Sequence, residues 1–494
     1  MAPSDAISAI HVLSFLLLIL PRAISAVDIP SHDDSVQVAM DQAARALAMT
    51  RAARRSDPRD DVARHGATQA WSDCDQLVSF AVAHLNRTAA AAVASPSDVA
   101  TWLSAARTTV NTCLDGFAEL GASPAPDFAA ALANVSRLVT DALRRESTEN
   151  GSASSTRVVT HDDGRMFPLD DMARPGDADV VVAKDGTGHF RTVGDAINAV
   201  AVARRSNGDG ERIVVYVKAG VYNENVEVWT NNLVLIGDGI GRTVITGCRS
   251  VRQGYTTFSS ATFAVNADGF VASGVTFRNT AGAGSSQAVA LRASGDRLAF
   301  YRCSIEGHQD TLYAHTLRQF YRECVVAGTV DFIFGNAAAV LQRCSIRVRR
   351  PPFPGQPAVV TAQGRVDRFE RTGFAIHGGR VTASARFGAT APFVAYLGRP
   401  WKEYSRVVYM EVYMDGTVDA AGWLAWDGTE FAQSTAFYGE YRNFGPGSGT
   451  SGRVRWGGYH VISDPGQASE FTAGDLVNAG SWLGSTGVPF TPGL

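Results

Sequence analysis

From Asp33 to about Arg145 the apolar residues recur every three to four positions. Val36, Met40, Ala43 and Leu47 make one stripe; Trp71, Cys74, Val78, Val82 and Leu85 make a second. Trp102, Ala106, Val110, Cys113 and Phe117 form a third, and Phe128, Leu132, Val135, Val139 and Ala142 a fourth. Four such stripes predict an all-α four-helix bundle. Asp98, following Ser95-Pro96-Ser97, is the expected N-cap of the third helix.

Past Asp177 the texture changes. Short β-branched runs (VVVAK, RIVVYVKAG, NLVLIGDG, TVITG, FVASGVTFRN, AVALRA) alternate with Gly, Asn and Asp, and the only helical stripe is a short one near Val193 to Val202. FYRCSIEG, FYRECVVAG and LQRCSIRV are near-copies that place Cys303, Cys324 and Cys344 21 and then 20 residues apart. Many short strands at that period predict a right-handed parallel β-helix, because the hairpins of a sandwich would turn more often. Residues 147–177, rich in Ser, Thr, Gly and Asp with no sustained period, read as a linker. The expected division is therefore a leader over 1–26, a helical domain over 27–146, the linker, and an all-β domain over 178–494.

The leader is expected because Ile7 to Leu20 is apolar apart from His11 and two serines, and is followed by Pro21 and the small residues Ala23 to Ala26. Its leading region carries Asp5 and no Lys or Arg, and the run is short for a membrane span of about 20 residues. A secretory signal cut near Ala26 is the reading; an uncleaved anchor is the alternative. Sequons at Asn86, Asn134 and Asn150 fit a secreted glycoprotein, and six cysteines in an oxidising compartment permit disulfides. Cys74 and Cys113, one on each of two predicted helices, are the only cysteines before the linker and are expected to be bridged. A composition 45% hydrophobic and 19% charged excludes a disordered chain and one embedded in a membrane throughout. The net charge of −3 conceals an asymmetry: 15 basic and 22 acidic residues up to Asp177, then 30 and 26. The basic second half suits a polyanionic ligand, and the acidic first half could lie against it.

The run GHQDTLYAHTLRQFYRECVVAGTVDFIFG, from Gly307 to Gly335, holds Asp310 and Asp331 in apolar and aromatic contexts, 21 residues apart like Cys303 and Cys324. Residues one period apart stack on neighbouring coils roughly 4.8 Å from each other. Two carboxyl groups that close raise each other's pKa, so one stays protonated beside an ionised neighbour, an acid next to a nucleophile. Gln287, 22 residues before Gln309, is expected about one coil away on the same face. Amide donors beside such a pair suit an oxyanion hole better than a metal site. Arg399, in LGRPW, can hold a carboxylate ionised and aimed, and Tyr313, Phe334 and Trp401 offer flat apolar surface of the kind that packs on sugar rings.

Five blocks, GVYNE (Gly220 to Glu224), QAVALR (Gln287 to Arg292), QDTLY (Gln309 to Tyr313), GTVDFIFG (Gly328 to Gly335) and LGRPW (Leu397 to Trp401), resemble in order the signature blocks of plant pectin methylesterases, over about residues 178–494. WSDCDQLVSFAVAHL and SDVATWLSAARTTVNTCLDGF resemble the pectin methylesterase inhibitor family, a helical domain often fused ahead of such enzymes. The resemblance implies a carboxylic ester hydrolase that removes methyl groups from the C6 esters of homogalacturonan and needs no cofactor or metal. It makes Asp331 the nucleophile, Asp310 the acid and then base, Gln287 and Gln309 the oxyanion donors, Arg399 the residue that orients Asp331, and Tyr313, Phe334 and Trp401 the lining of the sugar subsites. Pectin and the chain's own inhibitor-like domain are the implied partners, in the setting of a secreted, monomeric cell-wall protein with no nucleic acid and no membrane once the leader is gone.

The chain departs from the family pattern at several places. His308 stands where the family has Tyr, either as a packing substitute or as a group that shifts the pH profile. No cysteine precedes Cys74, so the short hairpin that opens the inhibitor family is expected to be missing. In place of a basic tetrad the linker region offers the pair Arg144-Arg145 and isolated arginines such as Arg165 and Arg174. Gly378 and Gly379 replace the family's usual partner for Cys344, which leaves Cys344 and Cys248 unpaired, whereas Cys303 and Cys324 are expected to bridge adjacent coils. Three rivals remain. A retaining glycosidase would use two carboxylates about 5 Å apart but no paired glutamines, a pectate lyase would need calcium-binding acidic clusters, and a non-catalytic pectin binder would have no use for all five blocks.

Overall fold

The computed structural model describes residues 32–55, 62–90, 94–150, 175–207, 212–384 and 393–494. The expected leader and most of the expected linker lie outside them. Four helices, α1 (His32–Arg55), α2 (Val62–Ala89), α3 (Pro96–Glu119) and α4 (Pro126–Asn150), form the bundle, with Leu77, Leu85, Leu103, Val110, Phe117, Phe128 and Leu132 buried between them. Trp71 packs edge-on to Phe117 and tilted against Phe128. A Cys74–Cys113 disulfide ties α2 to α3.

Helix α3 begins one turn earlier than its sequence suggested. Ser95, not Asp98, is the N-cap: its hydroxyl accepts from the Asp98 amide at 3.2 Å, and Pro96 opens the helix, where its missing N–H costs nothing. Asp98 is thereby free to serve another contact. Beyond its last residue the chain turns away at Gly121, whose φ of 64° lets the Ala122 amide reach back to the Phe117 carbonyl.

After a strand at Val180–Val182, helix Val193–Asn207 presses Val193, Ile197 and Val200 into the first coils. The chain then winds into a parallel β-helix of three sheets, with eleven, seven and eight strands among the described residues. One coil contributes Leu291–Ala293, Leu298–Tyr301 and Ser304–Glu306; the next contributes Leu312–Ala314, Arg318–Arg322 and Val325–Gly328. Leu291 pairs with Leu312 and Leu312 with Ile333, so the 21-residue period of the sequence is the register of the fold. Inward side chains stack along the axis, Phe300 on Tyr321 with ring centroids 4.9 Å apart. The C-terminal segment, including Phe471, Val477 and Leu483, covers the outer face of the eleven-stranded sheet.

Cys303 and Cys324 do stack on adjacent coils, but they are free buried thiols, which corrects the expected bridge. Directly stacked residues on parallel strands point their Cβ atoms the same way, about one strand spacing apart, wider than the roughly 3.8 Å a disulfide requires. Each thiol bonds to a carbonyl instead, Cys303 to Tyr301 and Cys324 to Phe300. Cys344 and Cys248 are also free.

Candidate active site

The seven-stranded sheet carries the site. Along it Arg292, Tyr313, Phe334, Ala362 and Arg399 fall in one cross-coil row. Tyr313 and Phe334 stack at 4.2 Å, and Trp401 meets Phe334 edge-on at 6.0 Å. Asp310 and Asp331 precede the strands of two neighbouring coils, and the Asp310 amide bonds to the Val330 carbonyl at 3.1 Å. Both aspartates have positive φ, 60° and 51°, a left-handed turn that Asp tolerates better than most residues. Gly335, with φ 120°, closes the second turn where any Cβ would run into the Ala314 carbonyl.

All eight expected catalytic and sugar-lining residues border one cavity of ≈ 300 Å³: Gln287, Gln309, Asp310, Tyr313, Asp331, Phe334, Arg399 and Trp401. The aspartates are 7% and 6% exposed. Arg399 donates to both oxygens of Asp331, from Nε at 2.9 Å and Nη2 at 2.6 Å. Asp310 has a buried Oδ1 with no hydrogen-bond partner among the described residues. Burial, and then the charge of Asp331, push Asp310 well above the usual carboxylate range. Burial raises Asp331 too, but the Arg399 guanidinium pulls it back, so it is the one of the pair that ionises first. His308 is held near 4 by burial and by Arg349, which keeps it neutral at higher pH. Among the described residues no cluster of His, Cys, Asp and Glu could hold a metal ion.

Sequence reasoning missed the cavity's other walls. The Arg399 guanidinium lies over Trp426, 4.3 Å from the indole ring centre, and the Arg292 guanidinium lies over Phe258, 3.5 Å from its ring centre. Both are lone aromatics outside any repeated block. The larger omission is the helical domain itself. Asp73 of α2 and Thr112, Asp115, Gly116, Ala118 and Glu119 of α3 line the same cavity. Thr112 Oγ1 lies 2.9 Å from His315 Nε2, Glu119 accepts from the Thr257 amide at 2.7 Å, and Lys402 pairs with Asp115 at 3.0 Å. Asp73 accepts from the Thr256 hydroxyl. Farther along, Asn336 donates to Thr108, Arg318 pairs with Asp98 at 2.6 Å, Arg107 with Asp367 at 3.1 Å, and Arg87 with Asp268 at 2.6 Å. A signal was present: Ser104, Thr108, Thr112, Asp115 and Glu119 recur at helical spacing, a polar stripe that packs on the second domain.

Comparison with known proteins places both parts. The pectinesterase family profile matches residues 179–480, and that of the plant invertase/pectin methylesterase inhibitor family matches 30–144. The chain is 46% identical to Pectinesterase 2 of Citrus sinensis over 438 residues, 86% of this chain and 82% of the other. Among solved structures, the pectin methylesterase from carrot is 48% identical with a TM-score of 0.61, covering 64% of this chain and 98% of its own. That from Aspergillus niger is 28% identical with a TM-score of 0.53, covering 65% and 98%.

Proposed function

Because the chain belongs to the pectinesterase family, with an inhibitor-family domain ahead of the β-helix, we propose that it hydrolyses the methyl esters of pectin through an aspartyl acyl-enzyme. The observation that carries this reading is the two-pronged grip of Arg399 on Asp331, with Asp310 raised and unpaired on the adjoining coil. The ionised Asp331 attacks the C6 carbonyl carbon, and Gln287 and Gln309 donate to the oxygen that becomes negative. Asp310 gives its proton to the departing methoxy oxygen, the C–O bond breaks, and methanol leaves an anhydride between Asp331 and the sugar. Asp310, now ionised, takes a proton from water; the hydroxide attacks the sugar's acyl carbon and Asp331 departs as a carboxylate. Tyr313, Phe334 and Trp401 hold the flanking sugar rings.

Methanol release from methylated pectin tests the reading against its rivals. Asp331→Asn should abolish it while pectin binding persists. Reducing ends without methanol would make the protein a glycosidase.

The helical domain, expected over 27–146 with a linker over 147–177 and the enzyme over 178–494, is proposed to keep the enzyme silent. Residues of α2 and α3 occupy the wall over the aspartates, where a pectin chain would lie. Residues 178–494 alone should release methanol faster than the full chain, and equal rates would refute this. A secreted, glycosylated, monomeric protein of the cell wall completes the reading. Its support is the apolar leader, the three sequons and the polymer substrate; no helix of the described residues is long and apolar enough to cross a membrane.

A further inference from the structure

A side cavity of ≈ 100 Å³ adjoins the catalytic one through Gln309, which lines both. Its inner wall is Thr329 and Val330, one coil on from the catalytic turn and bonded to it twice. The Thr329 amide donates to the His308 carbonyl at 3.0 Å, and the Val330 carbonyl accepts from the Asp310 amide at 3.1 Å. Its mouth lies between Arg252 and Phe353, both exposed. Two polar atoms of the wall, Oγ1 of Thr329 and Oε1 of Gln356, are buried with no hydrogen-bond partner among the described residues. Buried polar atoms are seldom left so, and ordered water is what commonly satisfies them. The cavity has room for several waters at roughly 15 Å³ each. No residue of the helical domain lines it, whereas α2 and α3 wall the catalytic cavity.

We propose that this side cavity is the port through which the hydrolytic water reaches the acyl-enzyme, with Thr329 and Gln356 as its holding points. The inference rests on the esterase reading of the adjoining centre. Once methanol has left, the sugar bound to Asp331 is still one unit of a polymer lying along Tyr313, Phe334 and Trp401. That polymer shuts the front of the catalytic cavity to solvent, while the side cavity stays open. A water held by Thr329 Oγ1 and Gln356 Oε1 passes Gln309 to reach Asp310. There its oxygen bonds to the acyl carbon, its proton goes to Asp310, and the bond from that carbon to Asp331 breaks. Thr329 and Gln356 are thus positioning residues of the second half-reaction and take no part in the first.

Two measurements on the full chain test this. A high-resolution crystal structure should show ordered water within hydrogen-bond distance of Thr329 Oγ1 and Gln356 Oε1; a dry cavity would overturn the port. Rapid-mixing kinetics on methylated pectin then compare the parent with Thr329→Val and, from the facing loop, Gln356→Leu. Each should lower kcat about tenfold, the worth of one hydrogen bond, and lower KM in step, so that kcat/KM is unchanged. A burst of methanol should precede the slow steady state, because the acyl-enzyme accumulates. Thr329→Ser, which keeps the hydroxyl, should behave as the parent. A fall in kcat/KM as large as that in kcat, the mark of a merely structural defect, or an unchanged kcat in both variants, would overturn the proposal. Since the waters are seen without turnover, a chain that holds them yet never releases methanol counts against the esterase reading alone.

Discussion

Burial by itself would push Asp310 and Asp331 up together; Arg399 separates them by bonding both oxygens of Asp331. Removing the guanidinium removes the main influence that lowers Asp331, so the pH at which it ionises must rise. Arg399→Gln should therefore move the acid limb of the kcat/KM profile to higher pH and reduce kcat by about 10²-fold, the cost of a misplaced reacting group. Arg399→Lys, which cannot reproduce two parallel bonds, should fall between. Gln309→Ala should lower kcat by roughly 10²- to 10³-fold with little change in KM, as expected of a donor used in the transition state. His308 behaves differently: burial holds it near 4, so it is already neutral across pH 6 to 8, and His308→Tyr should leave the profile's shape there unchanged. Of the two roles its sequence position allowed, the packing one is favoured.

At the scale of the element, α3 is amphipathic in an unusual sense: its apolar stripe faces the bundle and its polar stripe faces the β-helix. Its place in a bundle was readable from the apolar stripe, whereas its contact face looked like ordinary solvated surface. Gly116 marks the close approach, since a Cβ there would stand 3.4 Å from the Thr256 methyl. Gly116→Ala fits, but Gly116→Phe should drive α3 outward, and full-chain methanol release should increase. Contact with the β-helix also raises two acids, Asp73 from 3.8 to about 6 and Glu119 from 4.5 to about 7, chiefly by burial. Below about pH 3 both are protonated whether docked or free, and docking carries no charge cost. Through about pH 7 the freed acids ionise while the buried ones resist, so docking loses on the order of a few kcal/mol. Full-chain activity should accordingly rise between pH 5 and 8 relative to that of residues 178–494, and Asp73→Asn with Glu119→Gln should flatten the increase.

Over the whole molecule, two cores of different construction meet at one cleft. Their separate nature was legible: a 3.6-residue period gave the bundle, a 21-residue period gave the coils, and that second period also brought Asp310 next to Asp331 in register. What the period could not give was direction. It put Cys303 over Cys324 but left unseen that parallel side chains stand side by side without converging, and it left Trp426 and Phe258 unmarked because neither recurs. The sole bridge, Cys74–Cys113, closes 39 residues of the bundle and contributes about 4 kcal/mol in the chain-entropy account. Reductant should therefore lower the melting of the helical domain only, leaving a second calorimetric transition in place. Arg318 illustrates how the two bodies part. It contacts Asp98 of the bundle, yet it also holds Asp296 of its own coil through Nε at 2.9 Å and Nη2 at 2.5 Å. When the helices leave, this cation is not stranded, because its domestic counter-ion stays behind. At that one position the seam is finished on the enzyme's side beforehand, whereas Lys402, Asp268 and Asp367 surrender Asp115, Arg87 and Arg107 to water, so the pull that rejoins a freed catalyst to its escort runs through those three pairs and fades with salt.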